Sequence, residues 1–518
     1  MRLASALSVT LLLCASCVYP SRHLQREAST AFAAPQETRL GAALEGPRAA
    51  HPGASAVHPL ATGVDALVAR LRLIEAAERA IDFQYYMLHR DAVGEVVVQR
   101  LLAAADRGVR VRVLVDDLGS GGVDAWLPAL SAHENVAVRY FNPLARGPLP
   151  GLARSLDMLG RFGTTNHRMH NKLLAVDGAQ AVVGGRNMGD EYYGAAEQVN
   201  FADLDLVVGG PVVAELGRLF DAYWNSDHAV PVEAWSRLRR GPEALVELRA
   251  ALDARLARER EAPYAERLAA APILGELARG EVQTLWAPCR ALADDPDKVV
   301  ARGEAKRRNL LLTQLSEVVP EARRDVTIVS PYFVPGRGGS ERLAELARGG
   351  VRVRVLTNAL AATDVPAVHA GYKRYRRALL EAGVELYELM PSGEGVREAQ
   401  RSELFGSSGA SLHAKAFCFD GRWVFVGSLN LDPRSVDLNT ELGLVVESEA
   451  LGSRLLEGFE RATDPQLSWR VSLDGDGRMV WDGAPEGSPE RHDADPQASS
   501  GQRFASWFLG LLPIEGQL

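Results

Sequence analysis

The chain is short of cysteine, of positive charge and of long apolar runs, and each shortage closes off a class of protein. Four cysteines occur among 518 residues: Cys14, Cys17, Cys289 and Cys418. They are too few and too scattered for a disulfide framework, and none stands at zinc-ligand spacing from histidines. No metal is expected, and Cys418, set in an apolar stretch, reads as a small buried hydrophobe. The formal net charge of −8 argues against a protein that coats nucleic acid, while leaving room for a local basic pocket that binds phosphate. The apolar run Leu3 to Leu13 is about half the length a spanning helix requires. With Met1-Arg2 before it and Ala15 and Ser16 after it, the run reads as a secretory signal. At 47% hydrophobic and 24% charged residues the chain is not mostly disordered. By length it holds roughly three units, or two large ones with appendages.

What is present is a repeat. From His170 to Asn187 the chain reads H-N-K-L-L-A-V-D-G-A-Q-A-V-V-G-G-R-N, and from His413 to Asn430 it reads H-A-K-A-F-C-F-D-G-R-W-V-F-V-G-S-L-N. His, Lys, Asp, Gly and Asn recur at identical offsets 243 positions apart. On an extended strand residues i and i+2 share a face, so His170 with Lys172, and His413 with Lys415, each present an imidazole beside an ammonium. Asp177-Gly178 and Asp420-Gly421 fall between apolar runs, a strong hairpin signal.

A second stretch is duplicated too. A-A-D-R-G-V-R-V-R-V-L ends at Leu114 and L-A-R-G-G-V-R-V-R-V-L at Leu356, with the shared glycines Gly108 and Gly350 spaced 242 positions apart. Two α/β units follow, each contributing strand, helix, strand and then the signature hairpin. Helical spacing is expected over Val64–Ala80 and Gly94–Arg107, and strands over Ile81–Met87 and Val109–Val115, the last ending at Asp116-Asp117. The expected divisions are a signal segment at 1–17, a flexible tether at 18–60, a first domain at 61–232 and a helical connector at 233–279. A second domain at 280–470 and an end at 471–518 complete the chain. The connector's charges read as a solvated helix face. The end should hold a hairpin around Asp474 to Gly477 and a polar loop over Ala484–Gln502. Beyond that loop, Phe504, Trp507, Phe508 and Leu511 lie at helical spacing before Pro513 and suit either packing on the protein or insertion into a lipid interface.

The duplicated residues suit phosphodiester chemistry. One imidazole attacks phosphorus while the other, held protonated, donates to the departing alkoxide, provided their environments push the two pKa values apart. Lys172 and Lys415 would hold the nonbridging oxygens, and Asn187 and Asn430 would add amide donors. A carboxylate on the next strand would orient each imidazole. The matching stretches Asp203-Leu-Asp-Leu-Val-Val and Glu441-Leu-Gly-Leu-Val-Val nominate Asp203 and Glu441 for that task, ahead of Asp205. Asp177 and Asp420 complete the catalytic signature. Their odd offset from the histidines sets them at the hairpin turn, where they are expected to hold lysine or backbone.

The double H-x-K-x4-D signature, each with a following Asn, resembles the phospholipase D superfamily. The flanks R-M-H-N-K, V-G-G-R-N-M-G-D-E-Y-Y and D-P-R-S-V-D-L-N-T-E are similar to those of bacterial cardiolipin synthases of the C type. The resemblance runs from about Leu60 to Trp469. It implies two pseudo-symmetric α/β domains, each a mixed sheet flanked by helices, with the active site at their interface and no cofactor. It makes His170 the nucleophile that forms a phosphohistidine and His413 the acid and then base; the two copies are too alike for the sequence alone to order them. The implied activity is phosphatidyl transfer that forms cardiolipin from phosphatidylglycerol, with phospholipids and a membrane surface as partners, no nucleic acid, and no accessory protein indicated. Cys14-Ala15-Ser16-Cys17 resembles a lipoprotein processing site, with Cys14 where such sites usually carry Leu; Cys17 would be lipidated and the protein anchored in the bacterial envelope. A hydrolase of phospholipid or nucleic acid, and a non-catalytic lipoprotein that binds anionic lipid, are the alternatives.

Overall fold

The structure, a computed structural model, describes residues 26–145, 154–155, 157–158, 160–196, 200–235, 241–259, 263–279, 282–308, 310–391, 410–512 and 515–518. The expected signal segment and Cys17 lie outside the described residues.

Two mixed sheets carry the fold. The first half supplies β1 (Ser55–Leu60), β2 (Ala80–Tyr85), β3 (Arg110–Asp116), β4 (Val136–Phe141), β5 (Lys172–Val176), β6 (Gln180–Gly184), β7 (Asn200–Ala202), β8 (Asp205–Gly209), β9 (Ala229–Pro231) and β10 (Leu285–Ala287). The second half supplies β11 (Cys289–Ala293), β12 (Asp325–Val329), β13 (Arg352–Asn358), β14 (Glu385–Leu389), β15 (Ala410–Leu412), β16 (Ala416–Phe419), β17 (Trp423–Gly427), β18 (Leu442–Glu447), β19 (Ser468–Leu473), β20 (Met479–Gly483) and β21 (Glu490–His492). The strand orders are β10-β1-β8-β6-β5-β2-β3-β4-β9 and β11-β18-β17-β16-β12-β13-β14-β19-β20-β21. From β1 through β9 and from β11 through β19 the two orders correspond strand for strand. In both, the strands opening the α/β unit pair in parallel and the signature hairpins pair antiparallel.

The halves are joined through their signature edges. β7 pairs in parallel with β15, matching Phe201 to Ser411 and Ala202 to Leu412. One apolar core crosses the seam, with Leu173, Val183 and Leu206 from the first half clustered with Ala416, Val426 and Leu444 from the second. Cys418 is fully buried in it, as its apolar setting predicts.

Several expected boundaries move. Helix α1 (Arg39–Ala49) and β1 lie inside the stretch read as tether. That stretch is tied down from Arg26 onward, since Arg26 donates to the carbonyl of Ala229 and Asp221 accepts from the amide of Ala31. Its Ala- and Gly-rich composition hides a strand flanked on both sides by partners, β8 and β10, that arrive from far along the chain. Helices α2 (Gly63–Ala76) and α3 (Ala92–Asp106) follow, α2 stopping short of Ala80, which already belongs to β2.

The described residues of the connector are largely helical. In its main helix, α4 (Pro242–Glu259), Leu248 and Leu252 are buried, and Arg249 and Arg255 pair with Asp106 and Glu95 of α3, so its charges do more than face water. Because β10 still belongs to the first sheet, the second sheet begins at Cys289, not at residue 280. At the far end, residue 470 falls within β19, and the terminal hairpin extends the second sheet. The expected polar loop contains β21 and the start of the last helix.

Candidate active site

Both signature strands begin at the seam, and a polar side chain at the end of a neighbouring strand sets each entry. Asp116, closing β3, accepts from the amide of Met169 at 2.9 Å and pairs with Arg168 at 3.1 Å. Asn358, closing β13, bonds Leu412 twice, accepting from its amide at 2.9 Å and donating to its carbonyl at 3.0 Å. Each therefore grips the residue before a signature histidine. The peptide of that histidine then bonds the opposite half: the amide of His170 donates to Thr440 at 2.8 Å and that of His413 to Ala202 at 2.7 Å.

The acids cross over in the same way. His170 Nδ1 meets Glu441 Oε2 at 2.9 Å, and His413 Nδ1 meets Asp203 Oδ2 at 2.6 Å. Asp203 and Glu441 are thus both at the site, each serving the histidine of the other half. A carboxylate on Nδ1 fixes the tautomer and leaves Nε2 free of it. Lys172 Nζ donates to the carbonyl of His170 at 2.5 Å, and Lys415 Nζ to that of His413. Aromatic walls complete the pocket, with the Tyr86 ring 5.2 Å from His170 and those of Tyr192 and Phe201 each 5.1 Å from His413. Asn187 and Asn430 are buried, and the Oδ1 of each lacks a protein partner, which leaves one end of each amide for a ligand.

The remaining signature residues lie elsewhere. Asp177 accepts from the amides of Glu78, Arg79 and Ala80 at 2.8–2.9 Å. Asp420 accepts from those of Arg323, Arg324 and Asp325. Both sit with positive φ, 55° and 54°, at the turn that closes the hairpin. Five residues of strand, roughly 16 Å, separate that turn from the lysines. Counting these two acids with the catalytic signature is therefore corrected: they hold backbone, and neither touches lysine. Asp205 is also away from the imidazoles, paired with Arg70 at 2.9 Å and Arg186 at 3.2 Å.

The profile described as "Cardiolipin synthase, PLD-like domain" matches residues 71–224 and 315–463, the two duplicated halves. The chain is 40% identical over 473 residues to cardiolipin synthase C of Escherichia coli (strain K12), covering 90% of this chain and 96% of that protein. This chain belongs to the phospholipase D-like cardiolipin synthase family. It is also 26% identical to cardiolipin synthase B of Salmonella typhi over 75% of each chain. Among solved structures, phosphatidylserine synthase of Haemophilus influenzae Rd KW20 matches with a TM-score of 0.55 at 13% identity, over 89% of this chain and 95% of that one. That likeness extends to the fold alone.

Within this family member, burial governs the electrostatics. It pushes His170 down to about 4, with Lys172 and Lys415 adding to the effect against Glu441. His413 is lowered by burial and then by Lys415, whose Nζ lies 2.9 Å from its Nδ1. Lys415 falls to about 8, desolvation outweighing Asp203 and Glu441, and burial likewise lowers Lys172 against the pull of Glu441. In Glu441 burial is overcome by His170, Lys172 and Ser428, so the carboxylate stays charged, whereas burial raises Asp203. The pocket therefore disfavours charge on both imidazoles and both lysines, and an entering phosphodiester supplies the negative charge that lets His413 and the lysines hold their protons.

Supporting residues outside the signature were not legible in it. Ser428 donates to Glu441 at 2.5 Å, and Asp294, itself bonded by Lys298 at 2.9 Å, accepts from the amide of Glu441 at 2.8 Å. Arg186 donates to the carbonyl of Asp203 at 2.5 Å. Of these, Ser428 and Arg186 stand inside the repeated stretch, where the two copies differ, and that difference was the available signal. Two trios of potential metal ligands occur among the described residues, His89–Asp91–Glu191 and His369–Glu388–Asp495. In the second, Arg376 already pairs with both carboxylates; in the first, the amides of Gly94 and Asp190 already cap Asp91.

Proposed function

We propose that this protein is a phosphatidyltransferase that forms cardiolipin from phosphatidylglycerol, or from another phospholipid donor, through a phosphohistidine. The observation that carries the reading is the crossed pair of acids, which gives one pocket two oriented imidazoles flanked by two ammoniums. The 40% identical relative named cardiolipin synthase C supports the choice of substrate.

His170 Nε2 attacks phosphorus while its Nδ1–H donates to Glu441. The glycerol oxygen takes a proton from His413 as its bond to phosphorus breaks, and glycerol leaves. A hydroxyl of a second phosphatidylglycerol headgroup then gives its proton to His413 and attacks phosphorus. The P–N bond breaks and cardiolipin departs, with both imidazoles restored. Lys172 and Lys415 offset charge on the phosphoryl oxygens, and Asn187 and Asn430, whose open Oδ1 atoms are acceptors, receive hydrogen bonds from headgroup hydroxyls. The site works at a membrane surface of the bacterial envelope, to which acyl chains on Cys17 anchor the protein; Cys17→Ser is expected to release it from membranes or block its maturation.

The test is product analysis from phosphatidylglycerol vesicles by mass spectrometry. Cardiolipin and glycerol in equal amounts are expected. Phosphatidic acid alone would make the protein a hydrolase, and cleavage of single-stranded DNA without lipid turnover would overturn the lipid reading.

A further inference from the structure

The last helix, α11 when the helices Pro211–Trp224, Pro263–Ala269, Pro272–Arg279, Gly336–Arg348, Pro366–Glu381 and Glu449–Ala462 are numbered around α4 as α5 to α10, spans Ser500–Gly510. It opens with a capping box in which Ser499 accepts from the amide of Gln502 and Gln502 accepts from that of Ser499. It turns its polar side inward. Ser506 is buried, Arg503 donates to the carbonyl of Asp495 at 3.0 Å, and Arg374 donates to the carbonyls of Gly510 and Leu512. Its apolar side points outward: Phe504, Trp507, Phe508 and Leu511 are 63%, 59%, 49% and 64% exposed. Hydrophobic burial normally does the reverse, so the helix is held rigidly with its large side chains unpartnered.

We infer that α11 is a docking ridge for an anionic lipid bilayer, lowering Phe504, Trp507, Phe508 and Leu511 into the headgroup boundary beside the active site. Three observations favour that occupant. First, charge: α11 and the Pro366–Glu381 helix beneath it carry Arg503, Lys373, Arg374, Arg376 and Arg377 against Glu381 within the helices and Asp495, Glu388 and Glu515 paired with them from neighbouring segments, a local excess of cations in a chain whose net charge is −8. Of these, Lys373, Arg374, Arg377 and Arg503 are exposed, beside a tryptophan and two phenylalanines, the composition that suits an anionic interface. Second, size: at about 200 Å² per large side chain the ridge exposes roughly 500 Å², short of the about 800 Å² per partner that a stable protein interface buries.

Third, position. The tail that follows reaches the rim of the site, where Asn166 donates to Gln517 at 2.5 Å and the amide of Arg434 donates to the carbonyl of Leu518 at 2.6 Å. Arg434 opens the turn that leads to Glu441, and Asn166 follows the turn that exposes Phe162. The ridge therefore registers the pocket against the plane from which a lipid headgroup would enter.

The inference rests on the lipid reading above, so its test has one arm that needs no turnover. Full-length protein is mixed with phosphatidylglycerol vesicles whose acyl chains are brominated near the headgroup, and tryptophan emission is compared with that of Trp507→Phe. Wild-type emission should be quenched and the variant should lose most of that quenching; equal quenching would overturn the proposal. In the second arm, F504S/W507S/F508S should lower turnover of bilayer phosphatidylglycerol about tenfold or more while leaving turnover of monomeric short-chain phosphatidylglycerol unchanged, since polar residues cannot replace the buried apolar area. An equal fall on both substrates would make the ridge structural. A drop in oligomer mass without loss of quenching would make it a contact between copies. An enzyme inactive on every lipid, with Trp507 still quenched, would sink the lipid-transfer reading and leave the ridge standing.

Discussion

The two half-sites share a plan and differ in how each secures its acid. In one, the longer Glu441 reaches His170 and is itself held by Ser428, by Asp294 through its amide, and by the charge of Lys172. In the other, the shorter Asp203 reaches His413 at 2.6 Å, and the position matching Ser428 is Gly185. A Cβ added at Gly185 would stand 2.3 Å from Asp203 Oδ1, so the glycine is the space the carboxylate occupies. Both carboxylates are hydrogen-bonded, but Glu441 takes a side-chain hydroxyl from Ser428, whereas Asp203 takes the amide of Leu204 at 2.8 Å and fills the space left by Gly185. The difference teaches that a duplicated fold kept its symmetry in the backbone and lost it in the layer behind the imidazoles, where the proposed mechanism needs two histidines that titrate differently.

That comparison yields graded expectations. The largest effect is on the imidazoles themselves: His413→Ala should slow turnover by about 10²- to 10⁴-fold, the usual worth of one acid-base group. Next, Glu441→Ala and Asp203→Ala should each cost on the order of 10- to 100-fold, as for other groups that orient an imidazole. Gly185→Ser should match Asp203→Ala, because the new side chain displaces the carboxylate, whereas Ser428→Gly should be milder than Glu441→Ala. Steady-state kinetics of the five variants would read all of this. Equal tolerance at Gly185 and Ser428 would break the distinction.

A pH profile sharpens it further. kcat/KM should fall as pH drops toward about 4, where His170 gains a proton, and again as pH rises, first where His413, the proton donor, loses its proton and then past about 8, where Lys415 loses one. Lys415→Arg should move the alkaline limb upward, since guanidinium stays charged. The smallest effect belongs to the turn acids. Asp177→Ala should cost about 2–3 kcal/mol of stability, leaving three amides without their charged acceptor. The more exposed Asp420→Ala should cost less. Burial opposes the charge of Asp420, but the amides of Arg324, Arg323 and Asp325 prevail and lower its pKa. Its contribution is therefore present above the unfolded pKa of about 3.9 and lost as pH falls through the lower folded value, so Asp420→Asn should flatten the acid limb of a denaturation curve.

Much of the fold was legible because it is written twice. The 243-residue offset aligned the hairpins, and Asp-Gly marked turns that do carry positive φ. The acids Asp203 and Glu441 could be nominated by their matching strands, yet not their exchange across the seam, because strand pairing between β7 and β15 leaves no periodic trace in three-residue segments. The same holds for β1, whose place between β10 and β8 depends on partners more than 140 residues away. Asp294 and Lys298 stand outside every repeat, and only the folded chain brings them behind Glu441.

The most direct test of the central claim, that the two half-sites divide the chemistry, is covalent labelling by phosphatidylglycerol carrying a labelled phosphate, with wild type, His170→Ala and His413→Ala compared after rapid acid-free quenching. Label on His170 in the wild type, none in His170→Ala, and an intermediate that forms but transfers slowly in His413→Ala when the donor has a good leaving group would be the predicted result. Label retained in His170→Ala, or found on His413, would contradict it.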